Sequence, residues 1–281
     1  FEQAPINNFA DGAAEFSDRA TVLANCISLL EEARDMMSSS PVSDEFKSTV
    51  LWPEMNLQKT VNAFLSRYYL LAGNYTESIT AANAVLNDSD ATNSMWVYDA
   101  NNQNPIWNRT VNSADLNPQT NFGLLGAYVP EAGDGRVNFY LGDDAGFANG
   151  DAGGQALSEM LGFFGTNTAS IPIYLKGEML LNKAEAFARQ SQLSDAVIQL
   201  NLVRQKNDDP LSVNANLPAW TGNETSQADI LEEIYKNRCI ELFLTGMRFE
   251  DSKRFHPNFV VPTAANTTNE RNRNYYPYPT V

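Results

Sequence analysis

Two segments of this chain share one pattern, and that pattern limits the fold more than anything else in the sequence. The first is LSRYYLLAGNYTESITAANAVL, ending at Leu86; the second is IYLKGEMLLNKAEAFARQSQLSDAVIQLNLVRQKND, residues 173–208. Each has apolar residues at helical spacing, a short polar turn, and a second helical run. Aligning Tyr75 with Leu193, an offset of 193 − 75 = 118, also matches Glu77 with Asp195, Ser78 with Ala196 and Ile79 with Val197. Small residues at matched places beside a tight turn are what a tetratricopeptide-like helical hairpin needs, because its helices approach closely. Two hairpins so far apart in sequence pack side by side only if the chain between them loops out.

The rest of the pattern predicts a mainly helical protein. Residues 18–37 form a helix with Leu23, Cys26, Ile27, Leu30, Ala33 and Met37 on one face and Ser17 or Asp18 as cap. SSSPVSD, residues 38–44, breaks it. Residues 57–72 place Leu57, Val61, Leu65, Tyr68 and Ala72 inward, and after the Gly73-Asn74 turn Ile79, Ala82 and Leu86 follow. A helix over 228–246, a hinge at Gly246 and the charged continuation Arg248, Asp251, Arg254 come later. Arg238 shares a face with Leu231, Ile234 and Leu242, so it needs a buried carboxylate, with Glu185 and Glu241 as candidates.

Between the hairpins, residues 88–170 lose the helical period and fill with Asn, Asp, Gly and aromatics, with short strands expected at Met95–Tyr98 and Val137–Leu141. The organisation is one domain over 1–281: scaffold 15–87, loop-rich insert 88–170, scaffold 171–256 and an extended tail 257–281. Long irregular segments in compact domains commonly carry function.

Composition excludes several classes. With 19 basic against 34 acidic residues the net charge is −15, which opposes nucleic acid and anionic lipid alike. Cys26 and Cys239 have no metal spacing and read as two buried thiols, a disulfide between them being the alternative. His256 is the only histidine and lies outside any nucleophile motif, so it reads as a capping or surface residue. The glycines at 142–154 lack a phosphate-loop ending and read as a flexible loop. Asp88, Asp90, Thr92 and Asp99 fall in a calcium-loop register, but Asn93 stands where that loop needs Gly, so a polar loop is expected and no metal or other cofactor is called for.

Sugars present apolar C–H faces and rings of hydroxyls, so a sugar site wants flat rings beside amides and guanidinium groups. The insert supplies rings at Trp96, Tyr98, Trp107, Phe122, Tyr128 and Tyr140, and polar groups at Asn101, Asn102, Gln103, Asn104 and Arg109. The same rings can instead cover the flanking core. Trp107, Tyr98, Trp96, Asn101, Asn102, Gln103, Arg109 and Tyr128 are the expected ligand contacts.

The C-terminal segments resemble the SusD/RagB family. The resemblance rests on Ala184-Glu185-Ala186, on Leu200-Asn201-Leu202-Val203-Arg204, and on Asn237-Arg238, Glu241-Leu242, Thr245-Gly246, Arg248, Asp251-Ser252 and Arg254. GDGRVNFYL and YYPYP are similar to further family segments, while Asn237, Thr245 and Ser252 depart from the pattern. It implies an outer-membrane, lipid-anchored protein of the Bacteroidetes cell surface that captures oligosaccharide or polysaccharide without cleaving it. It also implies a SusC-like TonB-dependent transporter as partner. No signal peptide or lipobox cysteine stands near Phe1, so the anchor and an N-terminal helical region are expected outside this sequence. Other readings remain: a tetratricopeptide-like protein–protein adaptor, which needs a contiguous superhelix, and a glycoside hydrolase, which needs a carboxylate pair in a cleft.

Overall fold

A computed structural model describes residues 2–6, 14–87, 94–143, 156–260, 271 and 273–275. The calcium-register positions 88–92, most of the 142–154 glycines and most of the 257–281 tail lie outside these residues.

The chain opens with the antiparallel pair β1 (Gln3–Pro5) and β2 (Phe16–Asp18). Helix α1 (Arg19–Ser39) follows, capped by the Asp18 side chain, which accepts from the Thr21 N–H at 2.7 Å. Its apolar face, Leu23, Ile27, Leu30 and Met37, packs on Val61, Leu65 and Tyr69. The breaker segment is followed by a short helix, α2 (Asp44–Thr49), which buries none of its residues.

The first hairpin is α3 (Leu57–Ala72) and α4 (Tyr75–Leu86). The second is α7 (Lys176–Arg189) and α8 (Leu193–Arg204). Between them come β3 (Met95–Trp96), α5 (Pro105–Trp107), α6 (Gly135–Tyr140) and β4 (Ile171–Pro172). The 118-residue offset holds at both ends of the second helices, Tyr75 to Leu193 and Leu86 to Arg204. It extends to the turns. Gly73 (φ 82) and Ser191 (φ 62) occupy the same left-handed position, and the next N–H, Asn74 or Gln192, reaches Tyr69 O or Phe187 O at 2.9 Å in each. The hairpins pack through α4 against α7, and the insert loops out between them.

Small residues permit that packing. α4 buries Ser78, Ala81, Ala82 and Val85, so Ala82 is inward as expected while Ile79 and Leu86 are not fully buried. Its narrow face meets two neighbouring helices, and the bulkier Ile79 and Leu86 are left half-buried. Ala72, expected inward, is exposed at the hairpin turn.

α9 (Gln227–Glu241) and α10 (Arg248–Phe255) complete the scaffold. α9 ends five residues before the expected 246, because Leu244 (φ 58) and Gly246 (φ 84) turn left-handed and redirect the chain. The expected strand at Val137–Leu141 is instead α6, whose N-terminus the Asp134 carboxylate caps, accepting from the Arg136 N–H at 3.1 Å. The expected strand at Met95–Tyr98 is shortened to β3, paired antiparallel with β4.

A buried polar chain threads the helices. Ser78 Oγ donates to Ser66 O at 2.8 Å, Asn182 Nδ2 to Ser66 Oγ at 3.2 Å, and Arg238 Nη1 to Asn182 Oδ1 at 2.8 Å. Arg238 then forks onto Asp251 at 2.8 and 3.0 Å, and Arg254 joins Asp251 to Glu185. The carboxylate opposite Arg238 is therefore Asp251, one helix further on, and neither Glu185 nor Glu241. Those two serve other cations: Glu185 takes Arg189 and Arg254, and Glu241 takes Arg136 and Lys206. Gly177 is what allows Glu241 in, since a Cβ there would overlap its carboxylate. Arg271 ties the described part of the tail to α10, donating to Ser252 O and His256 O at 3.0 Å each.

Candidate ligand surface

The insert rises from two fixed points. The first is Ser94, fully buried. Its hydroxyl accepts from the Asn56 N–H at 3.0 Å and from Thr60 Oγ1 at 2.7 Å, and its carbonyl accepts from the Ile173 N–H at 2.9 Å. From there β3 alternates: Met95 points into the core and Trp96 outward. The Trp96 ring meets Trp52 from the α2–α3 connection, centroids 4.8 Å apart and planes at 71°. Beyond β3, Val97 packs on the core and Tyr98 is half-buried, its phenol pushed up in pKa by that burial.

Asp99 Oδ1 accepts from the N–H groups of Asn101 and Asn102 at 2.7 Å each, closing a tight turn. The side chains of Asn101, Asn102 and Gln103 are exposed on it.

Asn104 is the second fixed point. Expected among the sugar-binding amides, it is buried and fully employed. Its Nδ2 donates to Phe163 O and Ala169 O at 2.8 Å each, and its Oδ1 accepts from Ile106 N and Trp107 N, capping α5. Trp107 sits half-buried at the end of α5. Arg109 is exposed and pairs with Asp115 at 3.1 Å.

The other rings lie elsewhere. Tyr140 is fully buried, its hydroxyl donating to Glu241 O at 3.2 Å. Phe122 packs edge-on against Tyr140 and Phe243, at 6.1 and 5.0 Å between centroids. Of the two readings open for these rings, platform or core cover, the structure gives core cover: α6 folds back as a helix and carries Tyr140 inward, and Phe122 packs half-buried against it. Phe122 and Asn121 both adopt left-handed backbone (φ 58 and 54), a strained turn that α9 and its following loop help to fill. Tyr128 donates to Glu232 Oε2 at 2.6 Å and packs edge-on against Tyr235, so it belongs to the α9 side of the molecule. His256 joins it there, Nε2 lying 2.9 Å from Glu232 Oε1. Of the expected contacts, Trp96 to Arg109 follow one another along a single anchored segment, and Tyr128 stands apart. Trp52 is not among the expected contacts, although, like Trp107, it stands within two residues of a proline.

Electrostatics commits Glu185 and Glu131 to structure. Burial alone would raise the Glu185 carboxyl, but the charges and hydrogen bonds of Arg254, with Arg238 and Arg189, bring it down to about 2. The hydrogen bond from Arg204 likewise holds Glu131 at about 2. Neither carries a proton at neutral pH, so neither can serve as a general acid. Among the described residues no group of three His, Cys, Asp or Glu could hold a metal ion, and no helix is long and apolar enough to cross a membrane. Cys26 is half-buried on α1, Cys239 is buried on α9, and the two are not bonded to each other.

Helical hairpins bearing a looped-out, ring-rich insert define the class. Residues 164–280 match the family model of the SusD family. In fold the chain is similar to a SusD-like carbohydrate binding protein from Bacteroides vulgatus (TM-score 0.63, 21% identity, 89% of this chain and 56% of that one). It is also similar to a SusD-like carbohydrate binding protein from Bacteroides fragilis (0.59, 14%, 91% and 63%). Surface glycan-binding protein A from Bacteroides uniformis is a third (0.56, 16%, 92% and 63%). No curated protein matches the sequence. The chain is thus similar to the SusD family over residues 164–280 and to these structures in fold, and it spans 56 to 63% of their length.

Proposed function

We propose that this protein binds glycan without cleaving it, at the bacterial cell surface, and passes it to a SusC-like TonB-dependent transporter in the outer membrane. A lipid anchor would hold it there. The observation that carries the reading is the pairing of a SusD-family scaffold with an insert whose exposed amides and rings are mounted on two buried anchors, Ser94 and Asn104. The similar structures named for carbohydrate or glycan binding support the ligand class. Trp96, Tyr98, Asn101, Asn102, Gln103, Trp107 and Arg109 are the proposed contacts, and Tyr128 is the outlier, already engaged with Glu232. A rigid base lowers the ordering cost of binding, so a shallow surface can hold a long ligand.

A glycan array followed by reducing-end analysis tests this. Binding of a restricted set of glycans with no product released is the expected result. Turnover lost on replacing a single Asp or Glu would overturn the non-catalytic reading, and absence of glycan binding would overturn the ligand class.

A further inference from the structure

Trp52 and Trp96 are the one place among the described residues where two tryptophan rings touch while both stay open to solvent, at 40% and 42% exposure. Leaving two large apolar rings in water is costly, and a paired exposure of this kind marks a contact surface. The pair is also held in place. The Met95 N–H donates to Glu54 O at 3.1 Å, tying the two tryptophan-bearing segments together two residues from one ring and one from the other. The buried Ser94 hydroxyl bonds both Asn56 and Thr60 at the start of α3, and β4 pairs with β3 from the other side. A surface pair on so fixed a foundation is preorganised, which is how a weak stacking contact becomes a usable one.

We propose that Trp52 and Trp96 together form the sugar-stacking platform of the ligand surface, and that its ligand is an uncharged pyranose unit of a glycan. The proposal rests on the glycan-binding reading above and adds to it a residue from the scaffold, the α2–α3 connection, outside the insert. Rings 4.8 Å apart and set at 71° cannot lie flat under successive sugars of a straight chain. They make a corner, which one pyranose enters with its C–H face on one indole and its rim against the other. Charge selects a neutral sugar. The exposed ionisable residues nearest in sequence to the rings, Glu54 and Asp99, are acidic. Of the cations in the same stretches, Lys59 is buried, Lys47 pairs with Asp44 and Arg109 with Asp115. Uronic acid polymers would therefore meet repulsion from Glu54 and Asp99.

The test uses the whole chain with 5-fluorotryptophan in place of its four tryptophans, each fluorine signal assigned by a Trp→Phe variant. Maltoheptaose, cellohexaose, laminarihexaose and polygalacturonate are titrated in turn, with calorimetry alongside. The signals of Trp52 and Trp96 should move together with at least one neutral oligosaccharide, while Trp220 stays still and polygalacturonate moves neither. Trp52→Ala should weaken that binding about tenfold at an unchanged melting temperature. If Trp52→Ala unfolds, the wild-type signals decide alone. A neutral oligosaccharide that binds and leaves both signals unmoved overturns the platform but not glycan binding; the pair then belongs to a protein contact, together with exposed Phe46 on neighbouring α2 and Val50 at its C-terminal cap. Preferred binding of polygalacturonate overturns the charge argument. If none of the four binds, the platform and the glycan reading fall together.

Discussion

The scaffold and the insert solve opposite problems. In the scaffold, buried charge is matched almost atom for atom: Arg238, at 2% exposure, forks onto Asp251 at 2.8 and 3.0 Å and reaches Asn182 at 2.8 Å. In the insert between β3 and α6, polar side chains point outward, a few buried groups hold the loop down, and the backbone accepts left-handed residues at Ala114, Asn121 and Phe122. The difference teaches where each region's identity resides. The scaffold is specified by which groups must be paired inside, so substitution there costs stability. The insert is specified by what it displays, so substitution there should change binding first.

That contrast can be broken at several points. The largest effect is expected from Glu241→Ala, which strips two buried cations, Arg136 and Lys206, of their shared carboxylate. A loss of about 3–5 kcal/mol is expected, read from the shift in denaturant midpoint. A loss under 1 kcal/mol would show that water reaches this centre.

Acid should expose the same dependence. The Glu185 carboxyl falls from the ordinary 4.5 to about 2 on folding, so its contribution is whole above about pH 4.5 and vanishes as pH falls through about 2. Stability measured by urea midpoint should drop steeply across that window, and Glu185→Gln should flatten the drop while lowering the plateau. Glu131 acts in the same direction more weakly, being partly open to solvent. A slope unchanged in Glu185→Gln would place the acid sensitivity elsewhere.

Asn104→Ala probes a buried amide of the insert. Two carbonyls, of Phe163 and Ala169, lose their donor, and α5 loses its cap. A cost of about 1–3 kcal/mol is expected, together with weaker glycan binding because Trp107 is carried by that cap. Stability lost with binding intact would separate Trp107 from the ligand.

How far the sequence made this legible follows the same divide. Both hairpins could be read because apolar spacing and small turn residues act locally; even Ser191 stands where Gly73 stands in the first copy. The partner of Arg238 could not, because Glu185, Glu241 and Asp251 all lie near its face and only the placement of α10 selects Asp251. α6 looked like a strand because VNFYL is apolar and β-prone, while its helix depends on one capping carboxylate, Asp134. In the insert, composition supplied the rings and amides but could not sort the rings by direction. Tyr140 and Phe122 went inward, Tyr128 went to α9, and Trp52 joined Trp96 from 44 residues away (96 − 52). No periodicity records such long-range choices.

The most direct test is titration calorimetry of the wild type and Trp107→Ala with an array-identified glycan, run beside thermal melts of both. The account expects saturable wild-type binding without product, weakened by about 1–3 kcal/mol in the variant, with stability changed by no more than about 0.5 kcal/mol. A variant that melts several degrees lower would make Trp107 part of the core. A variant that binds as tightly as the wild type would contradict the claim that the insert displays the ligand site.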